Sequence, residues 1–194
     1  MVKAIRWTPD QVADYVTHKY PRANHRPLRR SGYQTSKLEQ QEQFWFVDWC
    51  ETQHILHTAG DGRRIQICLV DILVAYPAGA YLQGHKKQRA MQWALLRNMG
   101  CKKGAADLVL YYVTKQYGAL HIEMKRRRDQ FRSGGEISRA VTAVQSDHLQ
   151  LMRRIGHKTC VAFGWVEAAR HVCEYLGWNA SDRGLAADAG RNAT

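Results

Sequence analysis

Lys102-Lys103-Gly104-Ala105-Ala106-Asp107-Leu108-Val109-Leu110, followed shortly by Ala119-Leu120-His121-Ile122-Glu123-Met124-Lys125, is the stretch on which the reading of the fold turns. Leu108 to Val113 and Ala119 to Met124 are apolar, partly β-branched or aromatic runs separated by Lys115-Gln116-Tyr117-Gly118, a pattern that predicts two short buried strands forming a hairpin. Side chains alternate across a strand, so Leu120, Ile122 and Met124 point toward a core while His121, Glu123 and Lys125 share the opposite face. Asp107 opens the first strand. Two carboxylates and one ammonium are thereby brought together, and carboxylate oxygens without cysteine or organised histidine are the donors of a hard cation, Mg²⁺ or Mn²⁺.

Upstream, Ser36-Lys37-Leu38-Glu39 has the form of a capping box and predicts a helix running to about Thr58, with Phe44, Val47, Ile55 and Leu56 toward a core. Glu39, Glu42 and Gln43 fall on its first turns. Either glutamate is a candidate third acid, and either is equally well explained as a partner of the helix dipole. Gly60-Asp61-Gly62 marks a turn and Ile65 to Val74 a strand region. A helix from about Lys86 to Met99 places Met91, Ala94 and Leu95 on an apolar stripe and Lys86, Lys87, Arg89 and Arg97 on a basic remainder. Lys102 and Lys103 extend that positive charge up to the strand acid. Downstream, Arg126-Arg127-Arg128 and Arg132 ahead of Gly134-Gly135 read as a mobile basic loop, and Ser138 to about Ile155 as a helix containing Gln145. Thr159 to Gly164 is expected to be a further buried strand and Trp165 to Leu176 a closing amphipathic helix. Thr8-Pro9-Asp10 predicts a short N-terminal helix to about His18, followed by a flexible basic arm over 22–36.

The 194 residues carry 29 Lys and Arg against 17 Asp and Glu, a formal charge of +12 that suits a polyanionic partner. Five cysteines without C-x-x-C spacing argue against structural disulfides and a cysteine zinc site. No apolar run reaches membrane-spanning length and the first residues lack a signal-peptide core, so no membrane association and a cytoplasmic location are expected. The nine histidines lack H-E-x-x-H spacing and are expected to pack at core edges or on the surface; His121 shares the face of Glu123 and Lys125.

The ordered series Glu39, Pro77-Ala78-Gly79, Gly104-Ala105-Ala106-Asp107, Glu123-Met124-Lys125 and Gln145 resembles the PD-(D/E)xK nuclease core, and within it the VRR-NUC branch, over roughly 37–176. Ala106 stands where members of that branch often carry proline. The resemblance implies an α/β fold with a restriction-endonuclease-like core, a central mixed β-sheet flanked by helices, over residues 37–178. Residues 1–36 would be an N-terminal extension and 179–194 a flexible tail. It further implies Asp107, Glu123, Glu39 and the Met124 carbonyl as holders of Mg²⁺ or Mn²⁺, with Lys125 and Gln145 as the other catalytic side chains. The implied activity is metal-dependent endonucleolytic hydrolysis of DNA, structure-specific on branched forms such as junctions or flaps, by a homodimer. Lys86, Lys87, Arg89, Lys102, Lys103, Arg126, Arg127 and Arg128 are the expected DNA contacts. A hairpin without function, in which Glu123 and Lys125 form no more than an exposed ion pair, is one alternative; a non-catalytic nucleic-acid-binding module that uses the basic arm, the Lys86 to Arg97 helix and the arginine loop without hydrolysis is another.

Overall fold

The structure, a computed structural model, describes residues 35–76 and 85–185. The predicted N-terminal helix and nearly all of the basic arm, the Pro77-Ala78-Gly79 turn, and the tail beyond residue 185 lie outside the described residues.

Helix α1 spans Thr35–Glu51 and ends earlier than the sequence suggests. The amides of Thr52 and Gln53 turn back onto the carbonyls of Trp49 and Cys50, at 3.0 and 3.1 Å. Ile55 and Leu56, expected on the helix, instead lie on β1 (His54–Thr58), which pairs antiparallel with β2 (Arg64–Cys68). The pairing sets Ile55 opposite Ile67 and His57 opposite Ile65, and Gly62 closes the turn with φ of +81°. The continuous strand expected from Ile65 to Val74 is likewise broken. A 3₁₀ turn over Leu69–Ile72 carries the chain out of this hairpin and into β3 (Leu73–Ala75) of the main sheet.

The main sheet has four strands in the order β3-β4-β5-β6, with β4 at Leu108–Leu110, β5 at Leu120–Lys125 and β6 at Lys158–Phe163. The first two pairings are antiparallel and the β5–β6 pairing is parallel. This is the expected mixed sheet. The parallel crossover is made by two helices, α3 (Gly134–Ser138) and α4 (Ala143–Arg154); helix α2 (Lys86–Asn98) precedes β4 and α5 (Trp165–Leu176) follows β6. The single helix expected from Ser138 is corrected, because Thr142 is extended and caps a fresh helix at Ala143.

Alternation divides the sheet into two unlike faces. Leu108, Leu110, Leu120, Ile122, Met124, Cys160 and Ala162 form one, fully apolar and buried. It joins Phe46 and Cys50 of α1 and Ala168, Ala169 and Val172 of α5 in one core. The other face carries Asp107 and Val109, then His121, Glu123 and Lys125, then Thr159 and Val161 in register across the strands. Helix α4 lies over the β5–β6 half of that face, where Gln145 reaches Glu123 and His148 meets His121.

Helix α2 departs from expectation. None of its residues is fully buried, and Met91 and Leu95 of the predicted core stripe are exposed, as is Met99 beyond its end. Trp93, Ala94 and Leu96 are half-buried. All five cysteines are free thiols, with Cys50, Cys160 and Cys173 buried. Among the described residues no helix is long and apolar enough to cross a membrane.

Candidate active site

The site is assembled where three elements meet: the entrance to β4, the C-terminal half of β5, and the first turn of α4. Gly104 sets the first of these. Its φ is +81°, and a Cβ there would lie 2.6 Å from the Val144 carbonyl oxygen and 2.7 Å from a Val144 methyl. Glycine therefore serves both the left-handed turn and the close approach of the first turn of α4. Three residues later Asp107 accepts a hydrogen bond on Oδ2 from the Met124 amide, 2.8 Å away, which ties the carboxylate to β5 next to Glu123.

Glu123 and Lys125 are not the exposed pair of the alternative reading. Their side chains are 0% and 6% exposed, and Lys125 Nζ donates to Glu123 Oε1 at 2.6 Å. The same Oε1 accepts from Gln145 Nε2, while Glu123 Oε2 is buried with no partner among the described residues. A buried ion pair is poor evidence of a stabilising role, since apolar residues of similar volume commonly serve stability as well or better. Its presence calls for a functional explanation.

The geometry of α4 fixes what Gln145 can do. Thr142 and Gln145 form a reciprocal capping box: the Gln145 amide donates to Thr142 Oγ1 at 3.3 Å, and Gln145 Oε1 accepts from the Thr142 amide at 2.9 Å. With its carbonyl oxygen so occupied, the side chain has its NH₂ left to present to Glu123. A glutamate would serve the capping box equally but set a second negative charge against Glu123. Thr142 was not singled out from the sequence. Its signal was there, since Thr142-x-x-Gln145 is the sequence signature of a capping box.

The two candidate third acids separate cleanly. Glu39 is within electrostatic reach of Lys125, Asp107 and Arg126. Glu42, 1% exposed, belongs elsewhere: its Oε2 accepts from the Trp165 amide at 3.0 Å and its Oε1 pairs with Arg127 Nε at 3.3 Å. It neutralises the positive end of α5.

Charge crowding dominates the electrostatics. Burial, reinforced by the Asp107 charge and opposed by Lys125, raises the Glu123 pKa to about 7. Burial also raises Asp107 and Glu39, each against the pull of Lys125. Burial works against the Lys125 ammonium, but Glu123, Glu39 and Asp107 together outweigh it and leave its pKa raised. Three carboxyls held above their usual range around one ammonium form a site short of positive charge. Among the described residues no three His, Cys, Asp or Glu side chains are placed to hold a metal ion together. The donor set nonetheless fits a hard cation that keeps most of its water and takes one or two carboxylates. The unpartnered Glu123 Oε2 beside Asp107 offers such a ligand.

The basic residues divide in the same way. Lys86, Lys87, Arg89, Lys102 and Lys103 are exposed. The arginine run is instead engaged in folded structure, which corrects the expectation of a mobile loop. Arg126 is 8% exposed, pairs with Glu136 at 2.5 Å and lies 4.1 Å over the Phe131 ring. Arg127 pairs with Glu42, and Arg128 pairs with Glu167 at 3.1 Å while lying 4.0 Å over Phe163. The glycines that suggested mobility begin α3, with Ser133 capping it. His121, 8% exposed, packs its ring against those of His157 and His148, at centroid separations of 5.1 and 6.3 Å.

Comparison with known proteins finds likenesses among solved structures. A solved structure titled "VRR_NUC domain protein" shares 21% identity with this chain over 72% of this chain and 88% of its own, at a TM-score of 0.49. No protein-family model matches the chain, and no curated protein matches it.

Proposed function

We propose that this protein is a metal-dependent DNA endonuclease that hydrolyses phosphodiester bonds, with branched DNA as its substrate class. The observation that carries the proposal is the buried cluster of Asp107, Glu123 and Lys125, with Glu39 within its electrostatic reach and one Glu123 oxygen left without a partner. Asp107 and Glu123, with support from Glu39 and the Met124 carbonyl, would hold Mg²⁺ or Mn²⁺. Bound there, the ion would polarise the scissile phosphate and acidify water for attack.

The protein's own groups divide the remaining work. The acidic neighbours of Lys125 raise its pKa and favour the ammonium, which suits it to orient the attacking water and neutralise charge developing on the phosphate. Gln145, held by Thr142, fixes the orientation of Glu123. The Met124 amide does the same for Asp107. Lys86, Lys87, Arg89, Lys102 and Lys103 would bind the phosphate backbone on the approach to Asp107. Such contacts give affinity without sequence preference and weaken steeply with salt.

The test is cleavage of labelled duplex, single-stranded, flap and four-way-junction DNA in Mg²⁺, Mn²⁺ or EDTA. Cutting that requires the metal and favours the branched forms supports the proposal. Salt-sensitive binding without cutting under either metal would replace it with the binding module.

A further inference from the structure

Among the described residues, the carboxylate centre is covered on one side and bordered by exposed residues on the other. Helix α4 covers the β5–β6 half of the site face, whereas on the β3–β4 half Val74, Tyr76 and Tyr111 are 44%, 39% and 49% exposed. Tyr76 lies directly across from Asp107, its amide donating to the Asp107 carbonyl at 2.8 Å, and Tyr111 lies across from Ile72 in the same way at 2.9 Å. The two tyrosines are thus four residues apart along the ladder, yet their hydroxyls meet at 3.1 Å. Bridging that span requires both side chains to extend along the strands toward each other, past the Val74–Val109 pair. A linked pair of exposed aromatic rings therefore borders the strand acid. The exposed Lys102 and Lys103 lie five and four residues before Asp107.

We infer that the Tyr76–Tyr111 pair is a stacking platform for unpaired bases of a DNA strand led toward Asp107 and Glu123. Aromatic rings beside a positively charged approach are the combination that binds single strands, because every base has a π face and every nucleotide a phosphate. The inference deepens the endonuclease reading and rests on it for the direction of the strand: the platform would favour substrates whose bases are already unstacked, as at a flap or junction.

The test is fluorescence anisotropy of the full chain in EDTA, where no cutting occurs, with three labelled probes: oligothymidylate, an abasic strand of equal length, and a duplex. The wild type is expected to bind the thymidylate more tightly than the abasic strand. Tyr76→Ala and Tyr111→Ala should each weaken thymidylate binding about tenfold and leave the other two probes unchanged, stacking being worth roughly 1–3 kcal/mol per base. The double variant Tyr76→Phe/Tyr111→Phe should keep wild-type affinity, because the platform needs rings and not hydroxyls. Equal wild-type affinity for thymidylate and abasic strands would overturn the inference without any variant, as would equal losses on duplex. Loss of self-association in Tyr111→Ala, measured by light scattering, would also overturn it by making this face an interface between copies. Tyrosine-dependent binding with no cutting in Mg²⁺ or Mn²⁺ would sink the endonuclease reading and leave the platform standing.

Discussion

At Glu123 a carboxyl is held against Asp107 and Lys125 in a place that water does not reach, and its pKa is raised to about 7. In the unfolded chain the same group titrates near 4.5. The folded state therefore holds the proton longer, and the stability this group confers is complete below pH 4.5 and lost as pH rises through 7. The proposed divalent cation would compete with that proton. Its affinity, measured by calorimetry at pH 6 and pH 8, should be about tenfold higher at pH 8, and equal affinities would remove Glu123 from the ligand set. The crowding of acids also has a stability consequence. Asp107→Asn keeps an acceptor for the Met124 amide and removes one negative charge, so it should raise the melting temperature by on the order of 2–4 °C at pH 8. A fall would mean that the carboxylate is stabilising. His121 has the opposite sign to Glu123. Burial, with His157 and His148 adding to it, lowers its pKa to about 4 from 6.5, so its share of stability is present above 6.5 and lost as pH falls toward 4. Two oppositely signed groups thus act between pH 4.5 and 6.5. In His121→Phe the acid-side loss should shrink, and a melting curve unchanged with pH relative to wild type would contradict the assignment.

Helix α4 is the element on which the site's precision depends, and two residues outside the chemistry hold it. Thr142→Val removes the hydroxyl cap and should cost about 1 kcal/mol in stability. Because Thr142 also orients Gln145, the variant should lower kcat more than DNA affinity; an affinity loss of equal size would argue against a positioning role. Gly104→Ala meets both the left-handed turn and the Val144 carbonyl at 2.6 Å, so it should lower the melting temperature and displace Gln145 from Glu123. How far each element was legible follows from what determines it. The strand alternation at His121, Glu123 and Lys125 is local and was readable, as was α5 from Trp165 to Leu176. The end of α1 and the start of β1 were not, because Ile55 and Leu56 suit helix and strand alike until Ile65 and Ile67 pair with their neighbours. The sequence of Arg126–Arg128 suggests mobility because their partners Glu42, Glu136 and Glu167 and the rings of Phe131 and Phe163 are brought in only by folding.

Over the whole molecule the positive charge and the acid cluster have separate tasks. In the proposed endonuclease a net charge of +12 would supply affinity through dispersed lysines and arginines, whereas the acids would repel the phosphate that must reach them. A protein that only bound DNA would gain nothing from burying Glu123 and Asp107 on a face that opens toward Tyr76 and Tyr111. Charge and motif order were visible in the chain itself. Which glutamate lies near Lys125 and Asp107 was not, since Glu39 and Glu42 differ by less than one helical turn and are told apart by what folds against them. Binding and cutting should accordingly separate on mutation. The most direct measurement compares wild type and Asp107→Asn on one labelled flap or junction in saturating Mn²⁺, with binding measured in EDTA alongside. Unchanged binding with cleavage lost by at least a thousandfold, corresponding to about 4 kcal/mol of transition-state stabilisation, is the predicted result. Cleavage that persists in Asp107→Asn would show that the buried acids are not the catalytic centre.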